Sequence, residues 1–426
     1  MSFKYKKKVL DSGLTVITVP MAAESVTVLL LVKVGSRNEQ PSVNGISHFL
    51  EHMVFKGTDK WSEPTDVNKV IESVGGVVNA FTGREYTGFW VKIPKKYLKL
   101  GLEFVHQLVF KSLIPGLELE KERGVILEEI KMYQDNPMAQ VVRKYMGQVY
   151  QGTVLEQSVL GPAKNIKKIK RQDFFDHLKK WYVPTNMVLA VAGGGSDKTV
   201  ALAEQIFINK ADSKIKFQDK LDKKSNQQQE TQVQLIKKPI QQAHFCLGLP
   251  TFERRNKQRY ALGILNTVLG ANMSSRLFEQ VREKRGLVYY IKSSTNSFLD
   301  RGDLVVQAGC DANRVDEAIM VVRQELGKLK QQASQITEEE LVRAKQYVKG
   351  MLALSLENSK IVAKMIGRSL LLENKVRDVE EIRTKIDQVS QQDVAKVAKQ
   401  IIKDHKLNLT VLGDFDDQNR FEKLVI

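Results

Sequence analysis

The sequence predicts an α+β protein composed of two homologous domains. The chain has 426 residues, more than a typical single domain of roughly 100–200 residues. Strand-like runs alternate with helical runs, and both halves pass through these elements in the same order, which indicates an internal repeat. With 42% hydrophobic residues, the chain can form packed cores and is not a wholly disordered protein.

The two predicted domains span residues 1–210 and 233–426, with a linker at 211–232. The linker reads ADSKIKFQDKLDKKSNQQQETQ and is the most polar stretch of the chain. Each domain is predicted to run strand, helix, helix, strand and to close with a helix and an apolar strand. In the first half the segments are 26–34, 44–55, a helix ending at Gly76, 77–81 and 186–193; in the second they are 244–249, 259–269, a helix ending at Gly286, 287–291 and 407–413.

The charge balance is strongly basic. The chain has 66 Lys and Arg against 49 Asp and Glu, a formal net charge of +17. Such a charge suits nucleic-acid binding, but lysines scattered along a long chain favour a basic, solvated surface. We therefore expect no nucleic-acid partner.

Cysteine usage and hydropathy bear on the compartment. Cys246 and Cys310 are too few for a disulfide framework and lack CxxC spacing, which indicates a reducing environment. No apolar stretch is long enough to span a membrane, and the basic N-terminal segment lacks the apolar core of a secretion signal. The expectation is a cytoplasmic protein, with the mitochondrial matrix left open.

The segment 45–55, GISHFLEHMVF, contains the sharpest chemical signal. His48 and His52 lie one helical turn apart with Glu51 between them. Two imidazoles at this spacing can bind one Zn²⁺ ion, and the glutamate can take a proton from a metal-bound water. This HxxEH order is the inverzincin motif. The alternative is two unrelated histidines on a partly buried face, but the chain has six histidines in all, so their pairing here favours a metal site. Beside them runs an apolar stripe at helical spacing: Ile46, Phe49, Leu50, Met53 and Val54.

A catalytic zinc site needs a third protein ligand. The predicted helix at 117–134 contains several glutamates, of which Glu129 interrupts an apolar stripe. A carboxylate on a buried stripe needs a partner, and a metal is one, so Glu129 is the predicted ligand. Glu122, two turns earlier, is predicted to support the ligands, although acidic residues favour the first half of a helix in any case. The stripe is formed by Leu119, Val125, Ile126, Met132 and Tyr133.

These residues together resemble the M16 (pitrilysin/insulysin) family of zinc metallopeptidases. The HxxEH motif with Glu129 downstream carries the resemblance, and segments 76–82, 122–130, 186–193 and 274–289 extend it over nearly the whole chain. The size and two-domain plan are similar to the short-chain branch that includes mitochondrial processing peptidase and bacterial processing-like peptidases. The implied fold is a mainly antiparallel sheet covered by helices in each domain, forming half of a clamshell.

The resemblance also implies a function and a set of roles. The expected protein is a metalloendopeptidase that hydrolyses unfolded peptides or presequence-like segments. His48, His52 and Glu129 are the implied ligands of one Zn²⁺ per chain. Glu51 is the implied general base, and Glu122 is an accessory carboxylate.

The second half is expected to contribute differently. Arg282 and Tyr289, seven positions apart, match the arginine and tyrosine with which the family's C-terminal domain reaches the substrate. Alignment of the two halves places Ala261, Ile264 and Leu265 at the positions of the metal motif, so one zinc per chain is expected. Because both half-sites are intact, a homodimer with two active sites is favoured over a heterodimer.

Substrate binding is predicted at the strand 77–81. We expect an extended peptide to add to the edge of this strand at Asn79, Ala80 and Phe81; an ordinary sheet strand is the alternative. Two other functions stay open at this level: a catalytically idle scaffold subunit of the same family, and a basic protein that binds polyanions.

Overall fold

The computed structural model describes residues 4–194, 196–208, 221, 228–331 and 336–425, so most of the predicted linker at 211–232 lies outside the described residues. The chain forms two compact units, each containing one sheet. The first unit comprises residues 1–131, 157–220 and 353–381, and the second comprises 132–156, 221–352 and 382–426. The predicted α+β class is confirmed. Each unit combines segments from both halves of the sequence, so the boundaries at 210 and 233 stay a prediction about the sequence repeat.

The strands of the described chain are β1 (Lys6–Val9), β2 (Thr15–Val19), β3 (Ser25–Val32), β4 (Val77–Thr82), β5 (Thr87–Pro94), β6 (Met187–Ala192), β7 (Gln232–Lys237), β8 (Gln242–Thr251), β9 (Val288–Ser297), β10 (Gly302–Asp311) and β11 (Asn408–Gly413). The helices are α1 (Ile46–Met53), α2 (Pro64–Glu72), α3 (Leu98–Phe110), α4 (Gly116–Asp135), α5 (Pro137–Val149), α6 (Ala163–Ile166), α7 (Arg171–Trp181), α8 (Ser196–Ile206), α9 (Arg259–Leu269), α10 (Val315–Gln331), α11 (Glu338–Ser355), α12 (Ser359–Glu373), α13 (Val379–Asp387), α14 (Gln391–Ile401) and α15 (Gln418–Val425). None of the described helices has the length and apolarity needed to cross a bilayer.

The two sheets share one topology. The first sheet has the order β1-β2-β6-β3-β5-β4, and the second has the order β7-β11-β8-β10-β9. One pair in each sheet is parallel, β2 with β6 and β7 with β11, and the other pairs are antiparallel. Without β1, the first sheet matches the second in strand order and direction. The sequence repeat is therefore a repeat of topology, and it places β4 and β9 at equivalent sheet edges.

Helices cover both faces of the first sheet. Val28 and Leu30 of β3 belong to the same apolar cluster as residues of α1 and α3. Leu29 and Leu31 point the other way and pack in a cluster with Ile366 of α12. A strand between two helical layers is apolar at consecutive positions, which is why 26–34 gave a continuous run and not an alternating one.

The helices α5 and α12 each pack in the unit formed mainly by the other half of the sequence. α12 lies in the second half of the chain but packs on the first sheet. α5 lies in the first half, and its Tyr145 packs with Cys246 and Leu412 of the second sheet. An amphipathic pattern shows which face of a helix is buried, but not which sheet it covers.

The contact of α12 with the first sheet depends on Gly367. A Cβ atom at this position would lie 2.8 Å from Leu31 Cδ1 and 3.0 Å from Ala190 Cβ. Gly367→Val is therefore expected to lower the free energy of unfolding by about 1–3 kcal/mol through overpacking. In α11, a Cβ on Gly350 meets nothing within 4 Å, so the control Gly350→Ala should raise stability by about 0.5–1 kcal/mol. Urea unfolding measures both, and equal stability of the two variants would contradict the packing of α12.

The buried His177 of α7 gives stability a pH dependence. Its Nε2 lies 3.3 Å from Ser47 Oγ behind α1, and burial, with the charge of Lys180, lowers its pKa from 6.5 to about 3. In the unfolded chain a histidine takes up its proton near pH 6.5, so the stability gained by keeping His177 neutral is full above that pH. It is lost as the pH falls toward about 3, at roughly 1.4 kcal/mol per pKa unit.

We expect His177→Gln to flatten the fall in the free energy of unfolding between about pH 6.5 and pH 4. Chemical denaturation across this range measures the effect. The matched control is His405→Gln, because His405 is exposed. Parallel curves for wild type and His177→Gln would show that His177 is not held neutral by burial.

Candidate metal centre

The helix α1 begins at a glycine and is capped by a distant carboxylate. Gly45 has φ 104, a backbone conformation that favours glycine, so the helix starts at 46 and not at 44 as predicted. Glu39 is buried; its carboxylate accepts the N–H groups of Gly45 at 2.7 Å and Ser47 at 2.8 Å, and the side-chain amide of Asn44 at 2.6 Å. Two backbone N–H groups at the start of the helix, which have no acceptor within it, are thereby satisfied. No motif pointed to Glu39, since its partners lie five to eight residues away.

Three side chains that could bind a metal converge between α1 and α4. Glu129 Oε2 lies 3.6 Å from His48 Nε2 and 3.6 Å from His52 Nε2. All three atoms lie within 4.8 Å of one another. Ligand atoms about 2.0–2.1 Å from a tetrahedral zinc ion are roughly 3.3 Å apart, so these separations are close to those of a zinc site. Glu129 Oε2 is buried and has no hydrogen-bond partner among the described residues, which also fits a metal ligand.

Glu129 lies on a face of α4 that differs from the predicted one. The predicted apolar stripe was wrong in part, because Val125 is 49% and Met132 59% exposed. Glu129 itself is partly buried beside Ile126 and Ile130. Glu129 does lie next to a buried stripe of α4. That stripe starts at Leu119 and continues in steps of three or four residues. The buried residues of α4 are Leu119, Glu122, Ile126 and Ile130.

Glu122 lies behind the candidate ligands. Its Oε2 is 3.1 Å from His52 Nδ1, and its Oε1 is 2.5 Å from Lys56 Nζ. The carboxylate therefore fixes the ring of His52 with Nε2 directed toward Glu129, as carboxylates do for many metal-binding histidines. The sequence placed Glu122 here. It did not identify Lys56, which lies outside the HxxEH motif.

The pKa shifts describe the charges of this cluster. Burial, with the charge of His52, lowers the pKa of His48 to about 4, so this imidazole is neutral and can bind a cation. Burial also acts to lower the pKa of His52, but the hydrogen bond to Glu122 and the charge of Glu129 raise it above its ordinary value. Burial raises the pKa of Glu129. A bound cation would favour the ionised form of this buried carboxyl.

Glu51 projects toward the end of β4. Thr82 Oγ1 donates a hydrogen bond to Glu51 Oε2 and lies 3.4 Å from the carbonyl oxygen of Ser47. Burial raises the pKa of Glu51, and the hydrogen bond from Thr82 opposes the rise. A carboxylate held in place with a raised pKa suits proton transfer. Thr82 had no assigned role in the sequence, because its contact with Glu51 joins a strand to a helix.

The predicted substrate residues lie on β4, which is an edge strand. Ala80 is buried, and its N–H donates to Asn79 Oδ1 at 2.7 Å. The ring of Phe81 packs against Tyr86, with centroids 5.8 Å apart, and under Lys364 Nζ at 4.3 Å. The side chain of Phe81 therefore faces the α12 side of the sheet.

Arg282 and Tyr289 belong to the second unit, where both are exposed. The Arg282 guanidinium lies 4.7 Å from the centre of the Phe278 ring. Gly309 of β10 pairs with Tyr290, whereas the next residue pairs with Val288, so Tyr289 is the extra residue of a β-bulge. Bulges redirect side chains, and Tyr289 is 44% exposed although it lies in a strand. The sequence contained no signal for this bulge.

The second unit has apolar residues where the first has the HxxEH motif. Ala261, Ile264 and Leu265 of α9 are 4%, 1% and 0% exposed. Among the described residues, the group of His, Cys, Asp and Glu close enough to hold a metal ion is His48, His52 and Glu129. The equivalent helix of the second unit therefore serves as core packing.

Two family profiles match the chain. Residues 15–163 match the profile described as Insulinase (Peptidase family M16). Residues 168–348 match the profile described as Peptidase M16 inactive domain. The second match covers the stretch that contains the apolar α9.

Curated relatives and solved structures agree with these profiles. An uncharacterized zinc protease of Streptomyces coelicolor is 33% identical and covers 97% of this chain and 90% of its own. A second, from Bacillus subtilis, is 34% identical over 88% of this chain and 90% of its own. A protease from Helicobacter pylori has a similar fold, with a TM-score of 0.87, 24% identity and coverage of 96% of this chain and 99% of its own.

A Pseudomonas fluorescens structure described as a peptidase M16 inactive domain has a TM-score of 0.86, 18% identity and coverage of 97% and 99%. The likeness to the two solved structures extends over nearly the whole chain. The matches to the two zinc proteases cover 97% and 88% of this chain. The chain belongs to the M16 family of peptidases.

Proposed function

We propose that this protein is a zinc-dependent endopeptidase that uses the HxxEH motif. The convergence of His48 Nε2, His52 Nε2 and Glu129 Oε2 at the contact of α1 and α4 carries the proposal. Two nitrogen ligands and one carboxylate are a set that would hold a catalytic zinc ion, which takes three protein ligands. The names of the relatives as zinc proteases support the same metal. One zinc ion per chain is proposed, because the equivalent positions of α9 are apolar.

The proposed reaction is hydrolysis of a peptide bond. A zinc ion held by His48, His52 and Glu129 would supply Lewis-acid chemistry and would make water more acidic. Glu51 takes the proton from the attacking water and delivers it to the leaving amine. Thr82 holds the Glu51 carboxylate in position through its hydroxyl. Arg282 and Tyr289 stabilise the developing oxyanion or bind the nearby substrate backbone.

The proposed substrates are unfolded peptides or presequence-like segments that add to the edge of β4. An edge strand presents unpaired N–H and C=O groups to which an extended chain can bind. The N–H of Ala80 is covered by Asn79 Oδ1. Rotation of the Asn79 side chain would expose that donor to a peptide and leave the amide free for a further hydrogen bond.

The proposed assembly is a homodimer in which both chains are active. The described part of each chain contains one candidate metal set, in the first unit, and the Arg282–Tyr289 pair lies in the second unit. A subunit that served only as a scaffold would have no need of the ligand set. The preserved set, together with Glu51, therefore favours catalysis over an idle role.

Replacement of the proposed base tests the mechanism. Glu51→Gln is expected to reduce hydrolysis of a quenched peptide by roughly 10²–10⁴-fold, because the amide cannot accept the water proton. Zinc content, measured by inductively coupled plasma mass spectrometry, should stay at one ion per chain. Glu72→Gln, an exposed substitution on α2, should leave both quantities unchanged. Full hydrolysis by the Glu51→Gln protein, or no zinc in the wild type, would rule out the proposal.

Replacement of the second-unit pair tests its role in turnover. Arg282→Ala and Tyr289→Phe are each expected to lower kcat by roughly 10²–10³-fold with zinc content unchanged, as for loss of an oxyanion donor. Arg285→Ala, an exposed change nearby, is the control. Loss of zinc from either variant would contradict the assignment. Mixing Glu51→Gln chains with Arg282→Ala chains and assaying for restored activity tests whether the pair acts on the metal centre of a second copy.

A further inference from the structure

We propose that Lys56 is a positioning residue for the metal centre, in which its ammonium group holds Glu122 against His52 and thereby strengthens zinc binding. This inference rests on the proposed function, since it concerns the affinity of the same site for zinc. No motif includes Lys56. Its ammonium group forms an ion pair with Glu122, which is not one of the three candidate ligands. It acts through the carboxylate of Glu122.

Lys56 lies on the same helical face as His52. Lys56 follows α1, and its N–H donates to the carbonyl oxygen of Met53 at 3.0 Å, so the helical path continues to this residue. Lys56 lies four positions after His52, which corresponds to about one turn. Both side chains reach the same carboxylate of α4, Lys56 at 2.5 Å and His52 at 3.1 Å.

Both oxygens of Glu122 are used by this arrangement. Oε1 accepts from Lys56 and Oε2 is bonded to His52. The side chain of Glu122 is 10% exposed and that of Lys56 is 23% exposed, so water replaces neither partner easily. A buried carboxylate that loses one charged partner moves toward water. His52 then loses the acceptor that orients its ring.

The other glutamates at the start and middle of α4 behave differently. Glu118, Glu120 and Glu128 each pair with a basic residue three positions along the same helix. Exposed pairs of this kind contribute little to stability. Glu122 instead contacts residues outside α4. One carboxylate oxygen contacts His52, and the other contacts Lys56. The contrast indicates that Lys56 serves the metal centre and not the general solubility of the surface.

The magnitude follows from the behaviour of histidine ligands. Loss of the carboxylate behind a metal-binding histidine typically costs 10–100-fold in metal affinity. Lys56 acts one contact further away, so we expect about a tenfold effect, at the lower end of that range. The positive charge of Lys56 is the essential feature. An arginine at this position has a similar reach and should restore most of the zinc affinity.

The experiment measures zinc affinity of the metal-free protein by competition with a fluorescent zinc chelator. Wild type, Lys56→Met, Lys56→Arg and Lys60→Met are compared. Lys60 is the matched control, since it forms an exposed ion pair with Glu103 at 2.6 Å. We expect about tenfold weaker binding for Lys56→Met, affinity within a few-fold of wild type for Lys56→Arg, and no change for Lys60→Met. Circular dichroism of each metal-free variant reports whether it is folded.

A double-mutant cycle separates positioning from a general loss of structure. In a Glu122→Gln background, the further change Lys56→Met should have no added effect on zinc affinity, because Lys56 acts through that carboxylate. Additive losses would overturn the inference, as would wild-type affinity in Lys56→Met. If Lys56→Met does not fold, Lys56→Gln takes its place in the cycle. Absence of zinc binding in the wild type would overturn the proposed function, and this inference with it.

Discussion

The dominant constraint in the first unit is the burial of three candidate metal ligands, His48, His52 and Glu129, between α1 and α4. Two imidazoles and a carboxylate meet at 3.6 Å, in a place where unpaired polar atoms are costly. Each surrounding group compensates part of this cost. Glu39 caps the start of α1, Glu122 holds His52, and Thr82 holds Glu51. Two atoms of the set, Glu129 Oε2 and His48 Nδ1, are buried without a hydrogen-bond partner among the described residues.

The two units share a topology but use one helix differently. In the first unit this helix carries candidate metal ligands, and in the second unit it packs in the core. Apart from β1, the two sheets have the same strand order and directions. The helix that follows β3 contains His48 and His52. The corresponding helix, which follows β8, has Ala261, Ile264 and Leu265 at the equivalent positions. Apolar residues at these positions need no partner other than the core. The second copy is therefore free to present other groups, among them the exposed Tyr289, which a bulge turns outward from β9.

Several features of the site could be predicted because their signal is local. His48, Glu51 and His52 lie within one helical turn, so helix geometry alone brings them to neighbouring positions. Glu129 followed from a weaker argument, and the stripe used to place it included Val125 and Met132, which are exposed. Glu39, Lys56 and Thr82 were missed because their partners lie on other elements. Spacing in sequence does not report contacts of that kind.

The α+β class, the repeat, the HxxEH helix and the resemblance to M16 peptidases can be read from the amino-acid sequence, because period, turn residues and motif spacing are local properties. The folded chain is needed to show that α12 covers the first sheet and α5 the second. It is also needed to show which face of α4 is buried and which groups stand behind the ligands. These outcomes depend on shape and on the cost of burying unpaired polar atoms, and both are properties of elements brought together from distant parts of the chain.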